Sequence, residues 1–513
     1  MLPRCALIPV FLLSGLAFAA NTDAVKQAAA RVEQQTAKAP QTLRPEFQVM
    51  AAQALNQRHP DLARPFVDSV LEQLRAAKDP AVSPTLIMGL ASVAPSDAAG
   101  ILPAISPGST RNVIAALARS DHGDAAAKLF RDFLAAVKFD SLDPSDAWSL
   151  LNLANTVASV APGPAADAYE RILQAVSAPE YGQKSDTTIA ATFQIGSAAV
   201  STSNSRDTLL VAAGSRLHAM APDRFARFQP VLAKWDLSGP ATLRSLNFRS
   251  AAANSRPAPS PEAAAIQKNM GQIRGLATDA DRAKLVGELA ASIRALPPGN
   301  QRLNLASGLC NLATEGDLGK EAMNAVSATL AQSLKETAGS AGDYIELAKL
   351  VRYEHVAPPP SDPAMDAATA ILELRDEILQ ETGFNLTGLD GKTYNLDGLR
   401  GRIVLLNFWA TWCPPCRREM PDMEKLYQRY ETKGLIVLAV SDEDRETVSG
   451  FLKKQNYTFP VLLDPGRKVN TAFNVEGIPK SFLFDRQGKL VAQAIDMRTE
   501  AQFLEMFKAA GLD

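Results

Sequence analysis

The chain has 513 residues, and its 53 Lys and Arg against 55 Asp and Glu give a formal net charge of −2. This balance, without a run of basic residues, argues against nucleic acid or an anionic membrane surface as a partner. The length predicts about three domains, and 46% hydrophobic residues suffice for sizeable cores. The region before Phe384 is rich in Ala, Leu and Val, a composition that favours helices.

Residues 1–20 have the pattern of a secretory signal peptide. Arg4 and the amino terminus carry positive charge, the stretch from Ala6 to Phe18 is apolar, and Ala17-Phe18-Ala19 fits a small-residue cleavage site. The apolar stretch is too short to span a bilayer as a helix. We therefore predict an exported, periplasmic protein whose mature chain does not span a membrane, with an uncleaved anchor as the alternative.

Residues 21–249 are predicted to form an all-helical domain. Apolar residues recur there at helical spacing, and Pro and Gly separate the helical stretches. The clearest stripes are 62–74, 129–137 and 168–176. Apolar pairs return at intervals of roughly 30 to 40 residues, about the size of a two-helix repeat. Irregular helical-hairpin repeats of the α-solenoid type and an irregular helical bundle both fit this pattern.

Two proline-rich segments divide the following part of the chain. We interpret residues 250–261 and 356–363 as linkers, because Pro, Ser and Ala dominate them. Residues 262–355 form a second helical segment, and residues 364–381 form a helix that connects to the last domain. Cys310 is expected to be a buried, small apolar side chain, although a redox or intermolecular partner role is an alternative.

From residue 383 to residue 513, apolar strand-like runs alternate with helical segments. This alternation is typical of a layered α/β domain. The predicted strands are 384–386, 393–396, 403–406, 435–440, 459–463, 481–485 and 489–494, and two of the predicted helices are 446–454 and 500–510.

A Cys-Pro-Pro-Cys motif lies between one of these strands and a segment with helical spacing. A cysteine at a helix start meets unpaired backbone N–H groups and the positive end of the helix dipole, which stabilise its thiolate. Cys413 is therefore the candidate nucleophile. Cys416 lies one turn further on, close enough to attack a mixed disulfide on Cys413 and release the partner. The two prolines between them stiffen the loop.

Two other functions of a closely spaced cysteine pair, zinc binding and peroxide reduction, agree less well with the sequence. A structural zinc site usually needs two further Cys or His ligands, commonly as a second close pair, and this sequence has no such pair. We predict neither a metal nor a cofactor. A peroxidase of related fold would need Thr or Ser where Ala410 stands.

These residues carry a family resemblance. Residues 383–513 resemble the TlpA/ResA-like family of thioredoxin-fold thiol-disulfide oxidoreductases, through Asn-Phe-Trp-Ala-Thr-Trp-Cys-Pro-Pro-Cys at 407–416, Glu-Met-Pro at 419–421 and Gly-Ile-Pro at 477–479. The resemblance implies an α/β thioredoxin-like C-terminal domain, preceded here by a large all-α region of no recognised family. It also implies a protein-disulfide reductase that acts on protein disulfides or thiols and is recharged by a membrane thiol carrier.

The resemblance also implies roles for individual residues. Thioredoxins usually carry a buried Asp where this chain has Asn407, which cannot ionise. In the resembled family a Glu three residues after the second cysteine handles the protons, and Glu419 occupies that position. The alternative for Glu419 is a solvated carboxylate on the helix surface.

Four further residues are predicted to bind the substrate. Pro479 matches a proline that family members hold in cis opposite the dithiol, and the backbone of Ile478 would then pair with a substrate strand. Trp412 and Pro414 flank the nucleophile and would shape the site.

One other class of function stays open. The helical region could be a partner-binding scaffold, with the thioredoxin module in a subordinate role. This hypothesis accounts for the large N-terminal region, which dithiol chemistry does not require.

Overall fold

In the computed structural model the chain forms two compact units. The first contains residues Met1–Phe66 and Pro259–Asp513, and the second contains Val67–Ala258. The structure describes residues 11–77, 82–105, 110–119, 122–183, 185, 187–195, 197–237, 242–250, 259–313, 318–360, 362–475, 477–494 and 497–512. Residues 1–10 of the predicted signal peptide lie outside this description, and residues 11–20 belong to the first helix.

Helices dominate the chain up to residue 237. They are α1 (Phe11–Thr36), α2 (Arg44–Leu55), α3 (Pro60–Ala76), α4 (Pro84–Val93), α5 (Pro95–Ile105), α6 (Thr110–Ala118), α7 (Gly123–Ala136), α8 (Pro144–Val157), α9 (Pro162–Val176), α10 (Ser205–Met220), α11 (Pro222–Phe225) and α12 (Gln229–Leu232). Proline opens many of them, because its missing N–H is not needed in the first turn. The predicted stripes fall on α3, α7 and α9. The irregular helical-hairpin repeat stays a prediction, and so does the alternative of an irregular helical bundle.

The prediction of an all-helical domain over residues 21–249 is wrong in one respect. Three strands, β1 (Thr187–Ile195), β2 (Ala198–Thr202) and β3 (Thr242–Ser250), form an antiparallel sheet in the order β2-β1-β3. Every second residue of β1 is buried, which is the period of a half-buried strand. The sequence analysis missed this alternation, because the Ala-rich composition of the region favours helices.

The first turn of α10 holds β1 in place. Ser205 Oγ accepts a hydrogen bond from the Ile189 N–H at 2.8 Å and donates one to the Thr187 carbonyl at 3.1 Å. Thr208 Oγ1 donates to the Ile189 carbonyl at 2.8 Å. Polar side chains at the start of a helix therefore satisfy the backbone of the strand.

The next part of the chain is again helical. It contains α13 (Pro261–Met270), α14 (Asp279–Ala295), α15 (Asn300–Ala313), α16 (Gly319–Glu336), α17 (Ala341–Tyr353) and α18 (Pro363–Thr382). Most of the predicted linker 250–261, residues 251–258, lies outside the described residues. Cys310 on α15 is buried, as predicted, and burial raises the pKa of its thiol far above the usual value. Such a thiol is inert at neutral pH.

The segment 356–363 differs from an extended spacer. It joins α17 to α18, two helices that pack against each other. Within it, the Ala357 N–H donates a hydrogen bond to Asn324 Oδ1 at 2.9 Å, and Val356 is buried. The segment is therefore a packed connection inside one unit.

Helices α1 and α2 also belong to this unit, although the sequence pattern groups them with residues up to 249. Helix α1 packs along α18, and three polar contacts tie the N-terminal helices to α17 and α18. These contacts are Arg31 Nη1 to Glu373 Oε2 at 2.8 Å, His59 Nε2 to Glu381 Oε2 at 2.6 Å, and the Ala341 N–H to Glu46 Oε2 at 2.8 Å. Contacts between residues about 300 positions apart leave no local sequence signal.

The C-terminal domain is built on a seven-stranded mixed sheet with the order β10-β9-β6-β7-β8-β4-β5. Its elements are β4 (Asn385–Gly388), β5 (Thr393–Asn395), β6 (Ile403–Phe408), α19 (Pro414–Tyr430), β7 (Leu435–Ser441), α20 (Arg445–Leu452), β8 (Val461–Leu463), α21 (Lys468–Ala472), β9 (Lys480–Phe484), β10 (Leu490–Ala494) and α22 (Glu500–Ala509). Strand β6 pairs parallel with β7 and antiparallel with β9. The predicted thioredoxin-like architecture is confirmed.

Strand β6 is buried on both faces of this sheet. Ile403 and Leu405 point into the core on the side of α19 and α22, while Val404 and Leu406 point into the core on the other side. A strand between two apolar layers is held in place, because moving it would expose apolar side chains of one face or the other to water. The carboxyl end of β6, which leads to the dithiol, is therefore a fixed point.

A buried polar cluster joins α17 and α18 to the edge strand β10. Asp376 on α18 accepts hydrogen bonds from Gln493 of β10 at 2.5 Å, from the Tyr353 hydroxyl at 3.0 Å and from Arg352 Nε at 2.6 Å. Burial raises the pKa of Asp376, and the Arg352 guanidinium opposes that shift. The helices thus cover an edge that would otherwise be open to pairing with another chain.

The Asp376→Ala variant tests this cluster. We expect the free energy of unfolding to fall by about 2–4 kcal/mol, because three buried donors lose their acceptor. Denaturant titration measures the loss, and hydrogen exchange should show faster opening of β10. The control is Glu373→Ala on the same helix, whose partner Arg31 is exposed and which should cost less than about 1 kcal/mol. Equal losses in the two variants would contradict the assignment.

Candidate functional site

The site begins where β6 ends. The chain passes through the buried Trp409 and makes a turn in which the Cys413 N–H donates to the Ala410 carbonyl at 3.1 Å. Cys413 is the N-cap residue of α19, and its sulfur accepts a hydrogen bond from the Cys416 N–H at 3.3 Å. Pro414 fills the first helical position, where no N–H is required. A sulfur thus takes the place that a Ser or Asp oxygen has at most helix starts.

Cys413 and Cys416 form a disulfide with their Cα atoms 5.3 Å apart. Cys416 is fully buried, Cys413 is 2% exposed, and the neighbouring Trp412 is 67% exposed. Cys413 is therefore the less buried residue of the pair, and it follows an exposed side chain. This asymmetry agrees with the assignment of Cys413 as the attacking sulfur and Cys416 as the internal one.

The predicted substrate-binding residues are Ile478, Pro479, Trp412 and Pro414. The peptide bond between Ile478 and Pro479 is cis, as the resemblance implied. The Ile478 carbonyl oxygen lies 3.7 Å from Cys413 Sγ. Ile478 is half-buried, while Trp412 and Pro414 are exposed. Pro479 is buried. The structure thus places the Ile478 backbone next to Cys413, and the substrate-binding role of the four residues stays a prediction.

Glu419 lies on the buried side of α19. It is 1% exposed, so the alternative of a solvated carboxylate is wrong. Its Oε1 accepts a hydrogen bond from Asn407 Nδ2 at 2.7 Å, and its Oε2 accepts one from the Arg498 backbone N–H at 3.0 Å. Glu419 and Cys416 are separated by three positions on one helix and share a face. The carboxyl group therefore stands beside the internal sulfur.

Asn407 organises the floor of the site. It is fully buried near the carboxyl end of β6, and its Nδ2 also donates to Ser481 Oγ on β9 at 2.9 Å. Its Oδ1 has no hydrogen-bond partner among the described residues. The amide cannot ionise, so Asn407 contributes a hydrogen-bond donor to Glu419 and no titratable group to the site.

Two residues of the site escaped the sequence analysis. Glu443 accepts hydrogen bonds at 2.6 Å from both the N–H and the hydroxyl of Thr411, and so fixes the turn before the dithiol. A signal existed for it, since Glu443 follows β7, and the carboxyl ends of parallel strands share one edge of a sheet. Arg498 had no such signal, because it acts on Glu419 through its backbone.

The comparisons with known proteins cover this C-terminal part of the chain. A family model described as AhpC/TSA family matches residues 380–493. The thiol-disulfide oxidoreductase ResA of Bacillus cereus (strain ZK / E33L) is 42% identical over 120 residues, which are 23% of this chain and 69% of that protein. ResA of Bacillus thuringiensis subsp. konkukian (strain 97-27) is 39% identical over 138 residues, 26% of this chain and 80% of that protein.

A solved structure is similar over the same share of the chain. The thiol:disulfide interchange protein of the thioredoxin family from Chlorobium tepidum TLS is 33% identical, with a TM-score of 0.23, and the match covers 25% of this chain and 92% of that one. The two ResA proteins are each matched over more than two thirds of their length, and the chain contains the Cys413–Cys416 pair at the start of α19. Through its C-terminal domain, the chain therefore belongs to the ResA-like family of thioredoxin-fold thiol-disulfide oxidoreductases.

Proposed function

We propose that this protein is an exported protein-disulfide reductase that works through a mixed disulfide on Cys413. The observation that supports this most is the position of the Cys413 sulfur. It caps the N-terminus of α19, bonds with Cys416 and forms the outer end of the pair. A sulfur in that position is stabilised as a thiolate, and it belongs to the less buried cysteine of the pair, which an incoming disulfide would meet first.

In the first step the reduced Cys413 thiolate attacks one sulfur of a substrate disulfide. A mixed disulfide forms and the other substrate sulfur leaves as a thiolate. The Cys416 N–H and the helix dipole favour the anionic sulfur before the attack. Cys416 takes no part yet, because it is fully buried behind Cys413.

In the second step Cys416 resolves the adduct. Its thiol gives a proton to Glu419, and the resulting thiolate attacks Cys413 Sγ and displaces the second substrate sulfur. The proton on Glu419 can then pass to the departing thiolate. The dithiol supplies two electrons, Cys416 supplies one proton through Glu419, and the first substrate thiolate takes its proton from water, so one substrate disulfide becomes two thiols while Cys413 and Cys416 become a disulfide.

The substrate would lie against Ile478, Pro479, Trp412 and Pro414. The Ile478 carbonyl is 3.7 Å from the reacting sulfur, so an extended substrate segment paired with this backbone would place its disulfide next to Cys413. Trp412 presents a large apolar ring to that segment. Backbone pairing would allow many protein sequences to be accepted.

The proposal of export rests on the sequence of residues 1–20. Among the residues that the structure describes, no helix combines the length and the apolar character needed to cross a membrane. An exported reductase must recover two electrons after each turnover. We therefore include a membrane-embedded thiol carrier as the reductant in the proposal.

The Cys416→Ser variant should accumulate mixed disulfides on Cys413, because the resolving thiol is absent. Mass spectrometry of the full chain with a small disulfide should show one adduct per chain, and non-reducing gels from cells would reveal protein clients. Cys413→Ser should give no adduct. Cys310→Ser should behave as the parent chain, since that thiol is buried. Absence of adducts, or consumption of peroxide with a thiol donor, would contradict the proposal.

The Glu419→Gln variant should slow the second step selectively. With a chromogenic aromatic disulfide, attack by Cys413 releases one aromatic thiol and resolution by Cys416 releases the other, so stopped-flow absorbance separates the steps. We expect the second phase to slow by about 100-fold and the first to change by less than about twofold, because only Cys416 needs a proton acceptor.

The matched control for this prediction is Glu424→Gln. Glu424 is a buried carboxylate on the same helix that accepts hydrogen bonds from the Thr458 N–H at 2.8 Å and hydroxyl at 2.7 Å, away from the dithiol. It should change neither phase by more than about twofold. If Glu419→Gln slowed both phases equally, its role would be structural.

A further inference from the structure

We propose that Glu354, at the end of a helix outside the thioredoxin-like domain, positions Glu419 through Arg498. Glu354 follows α17, and Arg498 lies between β10 and α22. This inference rests on the proposed role of Glu419 as the proton acceptor for Cys416. Glu354 and Arg498 are positioning residues and do not touch the reacting sulfurs.

Arg498 contacts Glu419 through its backbone and Glu354 through its side chain. Its backbone N–H donates to Glu419 Oε2 at 3.0 Å, and its guanidinium forms an ion pair with Glu354 Oε1. The Arg498 side chain is 3% exposed and that of Glu354 is 10% exposed. The side-chain contact therefore determines where the backbone donor stands.

The buried guanidinium needs this partner. Burying a charge is costly unless it is paired, and removing one member of a buried pair leaves the other uncompensated. Arg498 Nη1 has no hydrogen-bond partner among the described residues. The ion pair with Glu354 is therefore the contact that compensates the buried charge of Arg498. Without Glu354 the guanidinium would move towards water, and the backbone of residue 498 would shift away from Glu419.

Glu354 itself is held rigidly. Its N–H donates to the Leu350 carbonyl at 3.1 Å and caps α17. The two preceding residues, Arg352 and Tyr353, both donate to Asp376 on α18. Three consecutive side chains at the end of α17 therefore contact either α18 or the segment before α22.

One partner of this contact, Glu354, lies outside residues 383–513, the part of the chain that resembles the family. The family model spans residues 380–493, whereas Glu354 precedes that range and Arg498 follows it. The helical region thus supplies a charged side chain that supports the proton acceptor of the redox domain. Any displacement of α17 would alter the resolving step before it altered the attack by Cys413.

The test is the two-phase stopped-flow reaction of the full chain with Glu354→Gln. We expect the second phase to slow by about fivefold, the effect of weakening one hydrogen bond, and the first phase to stay within about twofold. The double variant Glu354→Gln/Glu419→Gln should be no slower than Glu419→Gln alone, since both changes act on one acceptor.

Two further variants complete the design. Glu373→Gln removes an exposed ion pair of α18 and should change neither phase. If Glu354→Gln does not fold, the charge-free pair Glu354→Gln/Arg498→Met replaces it, and the same selective slowing of about fivefold is expected.

The outcomes separate this inference from the proposed function. Equal slowing of both phases, no slowing, or a double variant much slower than Glu419→Gln would overturn the role of Glu354 while leaving the reductase proposal in place. If Glu419→Gln itself changed neither phase, both the proton-acceptor role and this inference would fail. If Cys413 formed no mixed disulfide, the proposed function would fail first.

Discussion

The structure depends on one hydrogen bond, between the Cys416 N–H and the sulfur of Cys413 at the start of α19. A helix begins with N–H groups that lack partners inside the helix, and here Pro414 and Pro415 remove two of them while a sulfur accepts the next. A thiolate is a stronger acceptor than a disulfide sulfur, because charge strengthens the bond. The contact that begins the helix therefore also favours the reactive, reduced state, and the buried strand β6 fixes where this occurs.

The arrangement of the buried polar groups near the dithiol is explained by the free-energy cost of burying a charge without a partner. Glu419 is held by two donors, the Asn407 amide and the Arg498 backbone. An Asp in place of Asn407 would set two carboxylates side by side in the core, where like charges disfavour joint ionisation. Asn407 avoids this conflict and supplies a donor to Glu419. In the proposed mechanism, Glu419 is then the ionisable carboxyl group that accepts the proton of Cys416.

The strands, helices and dithiol of the redox domain could be predicted from the sequence, because the signals that specify them are local. The apolar runs and the Cys-Pro-Pro-Cys motif lie within a few residues of the elements that they specify. The contacts that the sequence did not predict join residues that are far apart in the chain. Glu443 lies 32 positions from Thr411, and Glu354 lies 144 positions from Arg498, so neither contact appears in any window of the sequence. Strand β1 was missed for another reason, since its buried Ile189, Phe193 and Ile195 lie in a stretch of only nine residues inside a region whose Ala-rich composition favours helices.

The helical part of the first unit changes how the domain arrangement should be understood. If residues 356–363 were a free spacer, the redox domain would move independently of the helices before it. Instead, α17 and α18 pack together, Asp376 binds Gln493 of β10, and Glu354 binds Arg498 beside the site. Two separate polar contacts, at an edge strand and at the support of Glu419, prevent rotation of these helices against the sheet. A protein that bound α17 and displaced it would therefore act on the chemistry of Cys416 through a defined set of bonds, without contacting the dithiol.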